Sequence, residues 1–207
     1  MKKIIYFIRH GESDANVNPN ARSRNPLTEK GHQQAKIVAN RFKNIPLDII
    51  IETSKVRSKQ TAEAVGLLTG VPIIENDLFI EREGEFEIMW EFKHLSVAEI
   101  TENMRTKLNK PNWEYDKQEL FITLRERIKK AIGYLEDIQY KNIVIVTHGA
   151  FLKVLIAYLL LRETLSEEQA VLFMKHSGIN NTGITVCKFN SEIKEWRLIT
   201  WNDQAHL

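Results

Sequence analysis

Two histidines of this chain lie in matching surroundings. Arg9-His10-Gly11-Glu12 follows the apolar run Ile4-Ile5-Tyr6-Phe7-Ile8, and Thr147-His148-Gly149 follows Ile143-Val144-Ile145-Val146. An imidazole can attack phosphorus as a nucleophile or move protons near neutral pH. A glycine directly behind it lets the backbone turn sharply and lets a ligand come close, and a helix starting there offers unpaired N–H groups to an anion. Taken singly, each histidine is well explained as a satisfied, partly buried side chain. The pair in like contexts points instead to a shared site. Arg57, within Thr53-Ser54-Lys55-Val56-Arg57-Ser58-Lys59-Gln60-Thr61-Ala62, follows another apolar run and so belongs at the same end of the fold. Alone it would be an exposed arginine at a helix start. Together, Arg9 and Arg57 can hold a phosphoryl group, because the planar guanidinium fork matches phosphate oxygens.

The elements that must position these side chains are short apolar runs rich in Ile and Val, bounded by turn or polar residues: Lys3 to Ile8, Leu47 to Ile51, Val71 to Ile74, Asn142 to Val146 and Gly183 to Phe189, with Trp196 to Trp201 as a sixth. Helical spacing lies between them. Ala35, Val38, Ala39 and Phe42 repeat after Leu27-Thr28, with Pro46 beyond, and Thr61 to Leu68 forms a helix stopped by Gly70. Leu120 to Ile138 is a long amphipathic helix, Ala150 to Leu161 a buried one, and Ser166-Glu167-Glu168-Gln169 has capping-box spacing. The alternation predicts an α/β fold of three layers, with a largely parallel sheet flanked by helices on both faces. Ligands of such sheets bind beyond the carboxyl ends of the strands, where His10, His148 and Arg57 fall.

Residues of about 75–117 interrupt the alternation and read as a helical cap insertion. Ser96-Val97-Ala98-Glu99 has capping-box spacing, Ile100, Met104 and Leu108 follow at helix spacing, and Pro111 is the stop. No repeat or linker divides the chain, so residues 1–207 read as a single α/β domain carrying that cap.

Composition narrows the chemistry. A chain of 207 residues that is 43 % hydrophobic can build an ample core. Its net charge of +2, from 29 basic and 27 acidic residues with no Lys/Arg block, gives no nucleic-acid footprint. One cysteine, Cys187, excludes an internal disulfide and suits a reducing compartment. There is no secretory signal, and Ala150 to Leu161, interrupted by Lys153, is too short to span a membrane, so the chain reads as cytoplasmic. The histidines at 10, 32, 94, 148, 176 and 206 include no close pair at metal-ligand spacing, and P-loop, dinucleotide and serine-elbow motifs are absent, so neither metal nor cofactor is expected. Cys187 lacks the arginine six residues on that a cysteine phosphatase loop needs, Ile193 standing there, and reads as a core thiol. His32, His94 and His176 read as surface or structural residues, and nothing in the sequence places His206.

These motifs resemble the histidine phosphatase superfamily, also called phosphoglycerate-mutase-like, in its small bacterial branch. Arg9-His10-Gly11-Glu12 is similar to its signature, Pro26-Leu27-Thr28-Glu29-Lys30-Gly31 to its Pro-Leu-Thr element, Arg57-Ser58-Lys59-Gln60-Thr61-Ala62 to its second arginine motif and Thr147-His148-Gly149 to its second histidine motif. All occur in order. The tail, with Asn181-Thr182-Gly183 and Asn202 to Leu207, is also similar to small members. The resemblance implies that His10 attacks phosphorus and becomes phosphohistidine, while Arg9, Arg57 and His148 surround the non-bridging oxygens. It also places a phosphate-contacting residue at Asn16.

A leaving alkoxide needs a proton. Leu78-Phe79-Ile80-Glu81-Arg82-Glu83-Gly84 resembles the family's acid-bearing segment, although Gly84 comes one residue early after Glu81. The resemblance favours Glu81, with Glu83 as the alternative, while an acidic run to Glu87 also suits a solvated loop. The activity implied is hydrolysis of a small phosphomonoester without a metal ion. Two alternatives stand beside it: a mutase returning the phosphoryl group to a second hydroxyl, and a regulatory protein that binds phosphate with little turnover. Substrate choice would lie in the cap, whose aromatic residues Phe79, Phe86, Trp90, Phe92 and Trp113 suit either a pocket or a core. Oligomeric state is left open.

Overall fold

The structure is a computed structural model and describes residues 1–18, 25–82, Glu99 and 121–207. Strand β1, Lys2–Arg9, alternates sides: Ile5 and Phe7 enter one core layer, while Ile8 and Tyr6 enter the other. The same period of two sorts Ile49 and Ile51 from Ile50 on β2 (Ile49–Glu52), and Ile143 and Ile145 from Val144 and Val146 on β4 (Asn142–Thr147). Strands buried on both faces are therefore apolar throughout, which is why they read as runs rather than alternations.

Strand β3 is Ile73–Glu75, β5 is Ile184–Asn190 and β6 is Glu195–Asp203. The sheet order is β3-β2-β4-β1-β5-β6. Strands β1 to β4 pair in parallel, whereas β5 runs antiparallel to β1, and β6 antiparallel to β5. The largely parallel sheet is thus present, with its reversed part confined to the two C-terminal strands.

On one face lie α2 (Glu29–Phe42) and α3 (Val56–Thr69), burying Val38, Ala39, Phe42, Ala62 and Val65. On the other lie α4 (Phe121–Asp137), α5 (Gly149–Leu161) and α6 (Glu167–His176). A short α1, Asp14–Val17, was not expected. Helix α3 begins five residues before the expected Thr61, and Gly70 ends it in the left-handed region at φ 70°. The capping box of Ser166 and Gln169 starts α6 as its spacing predicts.

Lys3 is 1 % exposed and reaches across from β1 to the end of α4. Its Nζ donates to the carbonyls of Leu135 at 2.9 Å, Glu136 at 2.7 Å and Ile138. A cation therefore meets the carbonyl end of the helix dipole, although burial pushes its pKa down.

Phe79 is fully buried against Tyr134 and Phe151, so it belongs to the core. The cap motif around Ser96, with Ile100, Met104, Leu108 and Pro111, lies outside the described residues apart from Glu99, as do Glu83, Phe86, Trp90, Phe92, His94 and Trp113. Among the described residues, no helix is long and apolar enough to cross a membrane.

Candidate active site

Parallel pairing of β1 with β4 puts Arg9 opposite Thr147, so the next residues, His10 and His148, leave the sheet side by side. Their ring centroids are 5.2 Å apart. Both side chains are buried, His10 at 3 % and His148 at 0 % exposure. Arg57, on the first turn of α3, reaches the same place, and its Nε donates to Nε2 of His10 at 3.0 Å. Nδ1 of His10 lies 2.7 Å from the carbonyl oxygen of Gly11. A carbonyl can only accept, so Nδ1 carries the proton and Nε2 the lone pair.

Arg9 donates from Nη1 to the Ile179 carbonyl at 2.7 Å. Its Nε is buried without a hydrogen-bond partner among the described residues, and so is Nδ1 of His148. Leaving a buried polar group unpaired costs about 1–3 kcal/mol, and two of them near His10 mark a place where a ligand could complete the hydrogen bonds.

Burial, then the charges of Arg57 and Arg9, hold the His10 pKa well below its ordinary value, against the Gly11 hydrogen bond. His148 is also held well below, by burial first, then by His10, Arg57, Lys55 and Arg9. Both rings are therefore neutral at pH 7. The positive charge of this place therefore comes from the two arginines. Burial lowers the pKa values of Arg9 and Arg57, and the charge of Glu81 opposes this in both.

Three motif segments clasp one another behind the histidine. Thr28 caps α2 by accepting from Gly31 N–H at 3.1 Å, and its hydroxyl donates to Glu12 Oε1 at 2.9 Å. Lys30 takes the other carboxylate oxygen at 2.8 Å. A Cβ on Gly31 would stand 1.9 Å from the carbonyl oxygen of Glu12, so only glycine lets these backbones meet. From α3, Thr61 accepts the Gly11 N–H at 3.1 Å and Gln60 accepts the Leu27 N–H at 2.8 Å. These contacts give a physical reason for the order Arg-His-Gly-Glu, Pro-Leu-Thr, Arg-Ser-Lys-Gln-Thr in the sequence.

Asn16 lies on α1, exposed at the rim. Its Oδ1 accepts from Ser13 N–H at 3.0 Å and Asn181 Nδ2 at 3.2 Å, which leaves its own Nδ2 as a donor. Asn181 also donates to the His10 carbonyl at 2.9 Å, and the neighbouring Thr182 N–H donates to the Arg9 carbonyl at 2.8 Å. Sequence reasoning named this tail but gave Asn181 no role. The signal available was its Asn-Thr-Gly turn ahead of β5; Thr182 sits at φ 58°. His206 lies 3.4 Å from Thr182 Oγ1, behind that turn rather than at the histidine pair.

Glu81 is fastened from three sides. Its Oε1 accepts from Phe151 N–H at 2.9 Å and Arg82 N–H at 3.0 Å, and its Oε2 from Ala150 N–H at 3.4 Å, so the carboxylate sits on the N-terminus of α5. Arg127 holds the preceding segment through the carbonyls of Leu78 at 3.1 Å and Ile80 at 2.8 Å. Thr147 Oγ1 donates to the Phe79 carbonyl at 2.6 Å. Glu81 is thus ordered against the helix that His148 caps.

Cys187 is buried, and burial pushes its thiol up to about 12, which leaves it inert. No group of three or more His, Cys, Asp or Glu that could hold a metal ion occurs among the described residues.

Comparison with known proteins adds a separate line of support. Residues 5–204 match the family model of the histidine phosphatase superfamily, branch 1. The uncharacterized phosphatase PhoE of Bacillus subtilis is 27 % identical over 210 residues, spanning 98 % of this chain and 96 % of that one. The probable phosphoglycerate mutase GpmB of Escherichia coli is 31 % identical over 163 residues, 75 % of this chain and 74 % of that one. Among solved structures, YhfR of Bacillus stearothermophilus superposes with a TM-score of 0.76 at 23 % identity, covering 99 % and 98 % of the two chains. The alpha-ribazole phosphatase of Shigella flexneri gives 0.72 at 21 % identity, covering 97 % and 96 %. At these identities the structures speak to fold.

Proposed function

Because this chain belongs to the histidine phosphatase superfamily, we propose that it hydrolyses a small phosphomonoester through a phosphohistidine on His10, without a metal ion. The observation that carries the proposal is the bare Nε2 of a neutral His10, flanked by the unpaired buried nitrogens of Arg9 and His148.

In the first half-reaction the Nε2 lone pair attacks phosphorus in line, the P–O ester bond breaks, and the alkoxide takes a proton from the carboxylic acid of Glu81. Arg57 must first release Nε2, and its N–H turns to a phosphoryl oxygen. Arg9, His148 and the Nδ2 of Asn16 supply the other donors. Phosphoryl transfer is helped mostly by positioning and by charge facing the oxygens, which two arginines provide. In the second half-reaction water gives a proton to the Glu81 carboxylate and attacks phosphorus. The P–N bond breaks, and inorganic phosphate leaves with its electron pair returned to Nε2.

The test is to quench the enzyme with labelled substrate under alkaline conditions, where phosphohistidine survives. Label should appear on wild-type protein and be absent from His10→Ala; label on another residue overturns the proposal. Treatment with a chelator should leave the rate unchanged, and restoration of a lost rate by one divalent ion would overturn its metal-free part.

The likeness to a probable mutase keeps phosphoryl return to substrate as a second reading. A panel of phosphomonoesters assayed with and without a bisphosphorylated sugar acid separates the two: a hydrolase releases inorganic phosphate at a rate matching substrate loss, and a mutase moves the phosphoryl group within the substrate without releasing it. A protein that binds phosphate with neither outcome would be the regulatory case.

A further inference from the structure

Thr53 follows β2 and is fully buried. Its backbone N–H donates to Ser58 Oγ at 3.0 Å, and that hydroxyl donates to the Val146 carbonyl at 2.8 Å. Thr53 is thereby fixed between α3 and β4. Its Oγ1 lies 2.9 Å from Nε2 of His148.

The direction of that hydrogen bond follows from counting acceptors. Among the described residues, Nε2 of His148 is the sole hydrogen-bond partner of the Thr53 hydroxyl. Either tautomer leaves one buried donor without a partner among the described residues, the Thr53 hydroxyl or the His148 Nδ1–H; the hydroxyl is walled in between α3 and β4, whereas an Nδ1–H can be met by an acceptor held beside His10. The hydroxyl therefore donates and Nε2 accepts. A neutral imidazole holds one proton, which must then sit on Nδ1, the buried nitrogen without a partner.

We propose that Thr53 is a positioning residue that sets the tautomer of His148, so that the ring presents an Nδ1–H, and not a lone pair, to the phosphoryl oxygens. The other tautomer would aim a lone pair at those oxygens and repel them. The functional part of this inference rests on the phosphatase reading above; the tautomer itself does not.

Two measurements test it separately. In protein labelled with nitrogen-15 histidine, the His148 signals are assigned by their loss in His148→Asn. At pH 7.5, Nδ1 should show the shift of a protonated nitrogen and Nε2 that of a bare one. The reverse assignment in the wild type overturns the proposal whether or not the enzyme turns over. Thr53→Ser should keep the wild-type pattern, and Thr53→Val should move proton occupancy toward Nε2.

For catalysis, Thr53→Val should lower kcat/KM by about 10–100-fold, by analogy with the loss seen when the partner that orients a metal-bound histidine is removed, while Thr53→Ser stays near wild type. In a His148→Asn background, Thr53→Val should cost nothing more, and an equal loss there would overturn the assignment. If Thr53→Val does not fold, the wild-type shifts still decide the question. A wild type inactive toward every phosphomonoester would defeat the phosphatase reading and leave the tautomer result standing.

Discussion

Arg57 places its Nε 3.0 Å from Nε2 of His10, on the opposite side of the ring from the 2.7 Å contact to Gly11. The Nε2 lone pair is therefore both selected and covered by these two contacts. One arginine fixes which nitrogen is bare, shields it, and lowers its proton affinity.

Removing that arginine should move the acid limb of the rate profile. His10 must be neutral to attack, so activity falls as pH drops through its pKa, which burial, Arg57 and Arg9 hold well below 6.5. In Arg57→Gln one depressing charge is gone and the pKa rises. After allowance for the ionisation of the substrate, the acid limb of kcat/KM should lie at higher pH than in wild type. We expect kcat to fall by roughly 10²–10³-fold, as for other donors that face transition-state charge. An acid limb that stays in place or moves lower would show that Arg57 does not act on His10.

Glu81 should matter in proportion to the leaving group. Glu81→Gln keeps an oxygen for the N-terminus of α5 and removes the acid. Alkyl phosphates should slow by roughly 10²–10⁴-fold, while nitrophenyl phosphate, whose phenolate leaves unaided, should lose far less. Equal losses on both substrates would reduce Glu81 to a structural role. The selective pattern in Glu83→Gln instead would transfer the acid to that residue, which lies outside the described region.

Stability should fall below about pH 6.5. Both rings are shut away from water, and burial together with nearby cations depresses their folded pKa values. Unfolding restores the ordinary value of about 6.5. Above that pH neither state is protonated and the rings contribute no slope. Below it the unfolded chain binds protons that the folded chain refuses, and stability drops by up to about 1.4 kcal/mol per pH unit for each ring, until the folded pKa is reached. Denaturant titrations between pH 7.5 and 5 measure this, and the slope should be shallower in His148→Asn.

Gly31→Ala should destabilise the fold although it lies outside the histidine pair. Its Cβ would press on the Glu12 backbone, which cannot swing away as a side chain would. A loss of about 1–3 kcal/mol or more is expected, as for other overpacked positions, visible as a lower denaturation midpoint. An unchanged midpoint would mean that the clasp of Glu12 on α2 is looser than its geometry.

The histidine pair was legible in the sequence because each strand carries an unbroken apolar run that ends two residues before the imidazole. What the sequence did not carry was register: only the pairing of Arg9 with Thr147 makes the rings neighbours. The start of α3 was missed because Arg57, Ser58 and Lys59 show no apolar period. They are helical for tertiary reasons, Ser58 and Thr61 being fully buried and hydrogen-bonded to β4 and to Gly11. Thr53 and Asn181 escaped for a similar reason. A threonine or an asparagine in a loop is ordinary until the fold sets it against an imidazole nitrogen or a backbone carbonyl.

The sheet order has a consequence for how the protein is made. Strand β1, which carries Arg9 and leads into His10, lies between β4 and β5, so that Ile5 pairs with Ile143 on one side and Cys187 on the other. During synthesis the first strand leaves the ribosome long before either neighbour exists. Long-range pairing of this kind makes folding slow, and it exposes apolar strand edges in the interval. In refolding from denaturant, helical signal should therefore return ahead of enzymatic activity, because His10 has no rigid seat until the last third of the chain has closed around it.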